Sequence, residues 1–314
     1  MFSPFNVISR KPFSRIQPTG VIANSKTNLH QPSGLPKQKD LSRVLNFYAD
    51  YSGCGHWRMI WPESLLRINQ SFNISGGTVM IADPSFYADV SAIRIQRQAT
   101  ESQKKFMEFI KGIQKTQNKK MNIIYEIDDI IFIEDIPEYN KFRTAFDDPK
   151  IRATSMEIML LADEMTVTNH FMKDYFKDKT NHPHITVIPN FVPKFWMDRF
   201  YNKTIVSKNY EEYSKKPRVL YCGSGAHFDV DSRVKHRDDF EHVNDVIRKT
   251  VNDFNWVFLG GFPAPLGDLI RAGKIEFHAW ESLMNYPYKI QSLNPQLIYA
   301  PLADNNFNKA KSDL

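Results

Sequence analysis

From Arg43 onward, short apolar runs alternate with stretches in which apolar residues recur every three or four positions, a rhythm that predicts strands and helices in turn. In the first half, Val44 to Tyr48, Thr78 to Ala82, Asn122 to Ile127, Glu164 to Val167 and Ile185 to Ile188 read as strands. Helices are expected at Glu101 to Lys115, Lys150 to Leu161 and His170 to Lys177. The second half repeats the alternation, with strands at Arg218 to Cys222, Trp256 to Leu259, Ile275 to His278 and Leu297 to Ala300. Its first helix should start near Asp238 or Asp239, either of which could cap it, and carry Phe240, Val243, Val246 and Ile247 on one face.

This pattern divides the chain into four parts. Residues 1–42 hold neither period and are rich in Ser, Pro, Asn and Lys, as a flexible basic arm would be. An organellar transit peptide has a similar acid-poor make-up, but Pro4, Pro12 and Pro18 interrupt the amphipathic helix it needs. Residues 43–200 form one α/β domain, the polar stretch 201–216 a linker, and 217–314 a second α/β domain.

The 314 residues, with 42% hydrophobic and 13% aromatic side chains, suffice for two buried cores and exclude disorder throughout. No apolar run approaches the roughly 20 residues of a membrane span, so a soluble protein is expected. The formal charge of +6 is carried by the arm. Arg10, Lys11, Arg15, Lys26, Lys37 and Lys39 meet no acidic residue before Asp40, and without them the chain is formally neutral. Cys54 and Cys222 are far apart and follow no metal-ligand spacing, which disfavours a zinc site and suits a reducing cytoplasm.

Five constellations carry candidate chemistry. Ser52-Gly53-Cys54-Gly55-His56-Trp57-Arg58 follows the first strand, where loops at the carboxyl ends of a parallel sheet line a crevice. Gly53, Gly55 and Arg58 would contact an acceptor there, with His56 facing the cleft, unless the glycines serve only a tight turn. Cys222-Gly223-Ser224-Gly225-Ala226-His227 repeats the arrangement at the head of the second half. Gly223 and Gly225 would let the chain wrap a diphosphate, Ser224 and His227 could bond to it, and Arg233, Lys235 and Arg237 could offset its charge. Gly260-Gly261 marks either a third donor contact or a plain strand exit. In Tyr125-Glu126-Ile127-Asp128-Asp129, the carboxylates Asp128 and Asp129 at a strand end suit metal binding, acid and base work or a grip on sugar hydroxyls, unless they only cap the next segment. Finally, Asp304, Asn305, Lys309, Lys311 and Ser312 surround a helix start near the last residues, where hydroxyls or an anion could be held.

These pieces, with Phe132 and Pro137, Thr166-Val167-Thr168-Asn169, and Val187-Ile188-Pro189-Asn190-Phe191-Val192-Pro193, resemble group 1, family 4-like glycosyltransferases, especially those of large T-even-like tailed phages. The resemblance spans most of Arg43 to Leu314. It implies the GT-B fold, two Rossmann-like domains facing across a cleft, the first binding the acceptor and the second a nucleotide sugar, UDP-linked. It further implies hexosyl or pentosyl transfer with retention of configuration, and neither cofactor nor metal. In such proteins the helix beginning near Ala310 to Ser312 continues to a ribose-binding glutamate and further helices. The chain ends at Leu314, so a truncated second domain is expected, with an exposed apolar face and dependence on a C-terminal partner fragment. The polar segment Phe228 to Arg237 is either a flap over the donor or an inert loop.

Several functions compete on this basis. The leading one is sugar transfer to a hydroxymethylated base in phage DNA, with the basic arm tracking phosphates. The neutral remainder of the chain keeps a glycan or lipid acceptor open. An inactive fragment serving as a binding module is the second class. A Rossmann-type oxidoreductase or epimerase is the third, disfavoured because neither glycine turn extends to Gly-x-Gly-x-x-Gly.

Overall fold

The computed structural model describes residues 42–69, 72–118, 120–194, 196, 216–230 and 238–311. The basic arm up to residue 41, the linker 201–215, Arg233, Lys235 and Arg237, and Ser312 lie outside the described residues. The described residues form one compact unit, which holds two parallel sheets.

The first sheet contains β1 (Arg43–Phe47), β2 (Asn73–Gly77), β3 (Val90–Gln96), β4 (Asn122–Glu126), β5 (Glu164–Val167) and β6 (Ile185–Val187), in the order β2-β1-β3-β4-β5-β6. The second contains β7 (Arg218–Gly223), β8 (Asn255–Gly260), β9 (Glu276–Ala279) and β10 (Leu297–Ile298), in the order β10-β7-β8-β9. Every pairing is parallel. The direction of strand order therefore reverses between β1 and β3 in one sheet and between β7 and β10 in the other, the doubly wound plan.

Helices fill the crossovers. Thr100 and Gln103 form a reciprocal cap that opens α2 (Glu101–Thr116), after α1 (Trp61–Ile68). Asp148 caps α3 (Pro149–Leu161) and Asn169 caps α4 (His170–Thr180). The second half adds α5 (Glu241–Thr250), α6 (Gly267–Arg271), α7 (Tyr286–Leu293) and the short α8 (Asn306–Lys309). Alternate residues of β7 enter opposite cores, Val219 and Tyr221 joining Phe240 and Ile247, while Leu220 joins Leu293 of α7. Phe307 and Ala310 leave the second half altogether and pack into the core of the first, beside Ala226.

Several elements depart from expectation. No strand forms at Thr78 to Ala82; the edge strand lies just earlier, at Asn73–Gly77, with Ile74 opposite Val44. A Cβ on Gly76 would sit 2.3 Å from the Tyr48 hydroxyl, so the glycine there permits a close approach rather than a turn. The central strand β3 was not foreseen, because Arg94 and Gln96 break its apolar run, yet Arg94 pairs with Glu126 on β4 and Gln96 accepts from the Ala49 amide just beyond β1. At α5, Val246 is half exposed although it shares the helix with the buried Ile247. Only Leu297 and Ile298 pair as a strand at β10, and both side chains stay exposed.

Candidate functional site

A cleft of about 930 Å³ is lined by loops from both sheets, among them Tyr51–Cys54 and His56 beyond β1, Arg97 and Ala99 beyond β3, and Asp129–Ile131 beyond β4. Its other wall is Ser224, Ala226 and His227 beyond β7, Trp280–Met284 beyond β9, and Phe307 with Lys311 around α8. Both places where strand order reverses thus open onto one cavity, the position at which doubly wound sheets bind ligands.

On the first wall, the Asp50 carboxylate organises the glycine loop. It accepts from the Ser52 amide at 2.8 Å, the Ser52 hydroxyl at 2.5 Å, the Gly55 amide at 3.2 Å and Arg97 at 2.6 Å. Gly55 cannot carry a side chain, since its Cβ would lie 2.0 Å from the Asp50 carbonyl oxygen, whereas Gly53 has open space around it. A π-helical turn, His56–Ile60, leads into α1 and sets His56 on the cleft rim. His56 Nδ1 lies 2.9 Å from the Ser52 carbonyl oxygen, which only accepts, so the neutral ring keeps Nε2 unprotonated and basic.

Arg58 does not face the cleft as expected. Its guanidinium turns into the interior, where Nε meets Glu126 at 2.6 Å and one terminal nitrogen donates to the Ile188 carbonyl and the Asn190 side chain. Glu126, fully buried, also accepts from Arg94 at 3.0 Å and from the Thr166 hydroxyl. The acid two residues before Asp128 is thereby a structural hub. Asp128 lies nearly buried at the end of β4, with Arg97 at 4.0 Å. Burial pushes its carboxyl above the usual range; Arg97 opposes this and the Asp129 charge adds to it.

Arg97 was missed from the sequence because the strand that precedes it was missed. It lines the cleft, bridges Asp50 and Asp128, and takes a positive φ of 30°.

On the second wall, Gly223 and Gly260 sit side by side in register. Gly260 takes a φ of +102°, and a Cβ there would fall 2.4 Å from the Trp280 ring and 2.7 Å from the Gly223 carbonyl oxygen. Gly225 is pressed by the Lys141 side chain of the first half, whose amide donates to its carbonyl. The Ser224 hydroxyl accepts from the Ala226 amide at 3.3 Å. His227 Nδ1 lies 2.8 Å from Asp239, a residue expected only as a helix cap. Asp238 does not cap the helix either: Phe240 is the N-cap and receives no side-chain cap, and Asp238 accepts from the Phe240 amide at 2.9 Å in the turn before α5.

The residues expected around the last helix separate into two groups. Lys311 reaches the cleft and pairs with Asp129 of the first half, its ammonium also lying 3.8 Å over the Phe307 ring. Asp304 and Lys309 instead pair with one another at 2.7 Å on the surface, away from the cleft. Asn305 caps α8 and donates to the Tyr139 hydroxyl, lining a neighbouring cavity of about 530 Å³ with Glu134–Tyr139. Among the described residues no cluster of three His, Cys, Asp or Glu could hold a metal ion, and no helix is long and apolar enough to cross a membrane.

Fold and site together define a doubly wound, two-sheet α/β protein with a shared cleft at the carboxyl ends of its strands. No protein-family model matches the chain. No curated protein matches it either. Similar solved structures include MnaA of S. aureus as a co-structure with UDP, at 11% identity and a TM-score of 0.45, over 78% of this chain and 70% of that one. HepE of Anabaena in complex with UDP and glucose matches at 11% and 0.46, over 82% and 73%. LpCGTa in complex with UDP matches at 7% and 0.38, over 77% and 71%.

Proposed function

We propose that the protein is a glycosyltransferase that moves a sugar from a nucleotide-sugar donor to an acceptor hydroxyl within the inter-sheet cleft. The observation that carries this reading is the convergence of both strand-order reversals on one cavity, with Lys311 and His227 on one wall and His56 and Asp129 on the other.

The donor diphosphate would lie against Ser224 and His227 of the glycine loop beyond β7, with Lys311 balancing its charge, while Gly223, Gly225 and Gly260 make room for the protein's own Tyr221, Lys141 and Trp280. The acceptor would enter over Gly53, which has open space around it where Gly55 is packed on Asp50, and Nε2 of His56 would receive its hydroxyl proton. Asp129 would flank the reacting centre, with Asp128 behind it against Arg97. The new bond joins the acceptor oxygen to the anomeric carbon on the face from which the diphosphate departs, as the bond to the diphosphate breaks, and positive groups stabilise the departing charge. A UDP-linked donor, retention of configuration and a hydroxymethylated base in DNA as acceptor are the finer parts of this reading. The last is supported by the six basic residues before Asp40.

Incubation with a panel of UDP- and GDP-sugars, followed for donor hydrolysis and for transfer to hydroxymethylated DNA, tests the reading. Release of nucleotide that depends on Lys311 and His56 is expected, with product NMR reporting the anomeric configuration. Failure to bind or cleave any donor would reject it.

A further inference from the structure

We propose that Asp239 is a positioning residue that holds His227 as a protonated hydrogen-bond donor to the donor diphosphate, an inference that rests on the glycosyltransferase reading above. The side chain of Asp239 is wholly buried. Its Oδ1 accepts three hydrogen bonds, from the Tyr139 hydroxyl at 2.8 Å, the Asn308 amide group at 2.6 Å and the Ala303 backbone amide at 2.9 Å. Its Oδ2 faces His227 Nδ1 at 2.8 Å.

A carboxylate oxygen only accepts, so Nδ1 carries a proton in this arrangement. The proton that varies is the one on Nε2. In the neutral ring Nε2 is bare and would set a lone pair against a phosphate oxygen; in the imidazolium it donates, and the buried carboxylate balances the added charge. The ring lines the cleft at the end of the glycine loop beyond β7, beside the strand-order reversal. Because Tyr139 belongs to the first half, Asp239 also ties the orientation of the ring to that half.

The other charged groups around the ring belong to three elements. Lys311, following α8, is occupied by Asp129 and lies over Phe307, whose ring centre is 6.2 Å from that of His227. Asp238 and Asp229 flank the loop, the former accepting from the backbone amide of the latter. His56 and Arg97 line the same cleft from the first half.

Replacing Asp239 by Asn makes a specific forecast. The three donors on Oδ1 hold the amide oxygen in that place, which turns the amide nitrogen toward His227. That nitrogen donates to Nδ1 and moves the ring proton to Nε2, giving a neutral donor that does not depend on pH. UDP affinity of the wild type should fall as pH rises from about 5 to about 8, while that of Asp239→Asn stays flat after correction for the ionisation of UDP, which both proteins share. The ratio of wild-type to variant Kd should climb about tenfold over that range, as expected when a charge-assisted bond is exchanged for none.

Isothermal titration of UDP and GDP across pH reads this ratio, and nitrogen-15 NMR of His227 reads the tautomer, Nδ1–H in the wild type and Nε2–H in the variant. His227→Gln, which donates from a matching position without titrating, should give the same flat curve and serves if Asp239→Asn does not fold. Binding with parallel pH curves for wild type and variants would overturn the proposal alone. Absence of UDP and GDP binding by the wild type at every pH would overturn it together with the glycosyltransferase reading.

Discussion

The ammonium of Lys311 lies 3.0 Å from both carboxylate oxygens of Asp129, joining residues 182 positions apart and closing the cleft from its two walls. An incoming diphosphate competes with Asp129 for this cation. Lys311→Ala should therefore weaken UDP binding by about 10- to 100-fold, the value of a hydrogen bond to a charged group of about 1.5–3 kcal/mol. Asp129→Asn should instead tighten UDP binding while lowering turnover. Calorimetry and steady-state kinetics on the two variants check the opposed signs.

A second prediction concerns the interior. Glu126 is held by Arg58, Arg94 and Thr166 with none of its side chain exposed, so removing its charge leaves two guanidinium groups without their shared partner. Glu126→Gln should cost about 3–5 kcal/mol of stability, as broken buried ion pairs do. Arg58→Met should also destabilise the fold rather than act on acceptor binding. Denaturant midpoints, set beside UDP affinity measured well below the transition, distinguish these effects.

What was legible from sequence followed from short-range signals. The capped helix after Thr100, the apolar strands β4, β5, β7 and β8, and the glycine turns beyond β1 and β7 all announce themselves within a few residues. What was missed depends on partners distant in sequence. Strand β3 hid because Arg94 finds its carboxylate on Glu126, one strand over. Asp239 read as a cap because its partners Tyr139, Ala303 and Asn308 lie 100, 64 and 69 residues away. Lys309 and Lys311 look equivalent in the sequence, and only the turn of α8 sends one to the cleft and the other to Asp304 on the surface.

Asp128 supplies a pH dependence. Its carboxyl is held above the ordinary value of 3.8, chiefly by burial, so the folded state binds this proton more tightly than the unfolded state does. That contribution is complete below the ordinary value and is lost as pH rises through the raised one. Asp128→Asn cannot ionise and escapes the loss, so the variant should be more stable than the wild type at neutral pH. The two stability curves should converge as pH falls below the ordinary carboxylate value. Thermal midpoints measured over a pH series test this, and a variant less stable at neutral pH would mean that attraction to Arg97 outweighs burial.

The two glycines beyond β1 should respond oppositely to the same added methyl group. At Gly53 nothing stands within 4 Å of a Cβ, so Gly53→Ala should fold like the wild type, and any change in acceptor KM would report contact with substrate. At Gly55 the methyl group meets the Asp50 carbonyl oxygen at 2.0 Å, a backbone atom that moves only if the loop moves with it. Gly55→Ala should therefore lose about 1–3 kcal/mol, the usual cost of overpacking a fitted site. Because Asp50 also anchors Arg97, the displaced loop should disturb the cleft floor too, raising KM along with the loss of stability. Equal stability of the two alanine variants in denaturant would show that the Asp50 turn is not the rigid support of this wall.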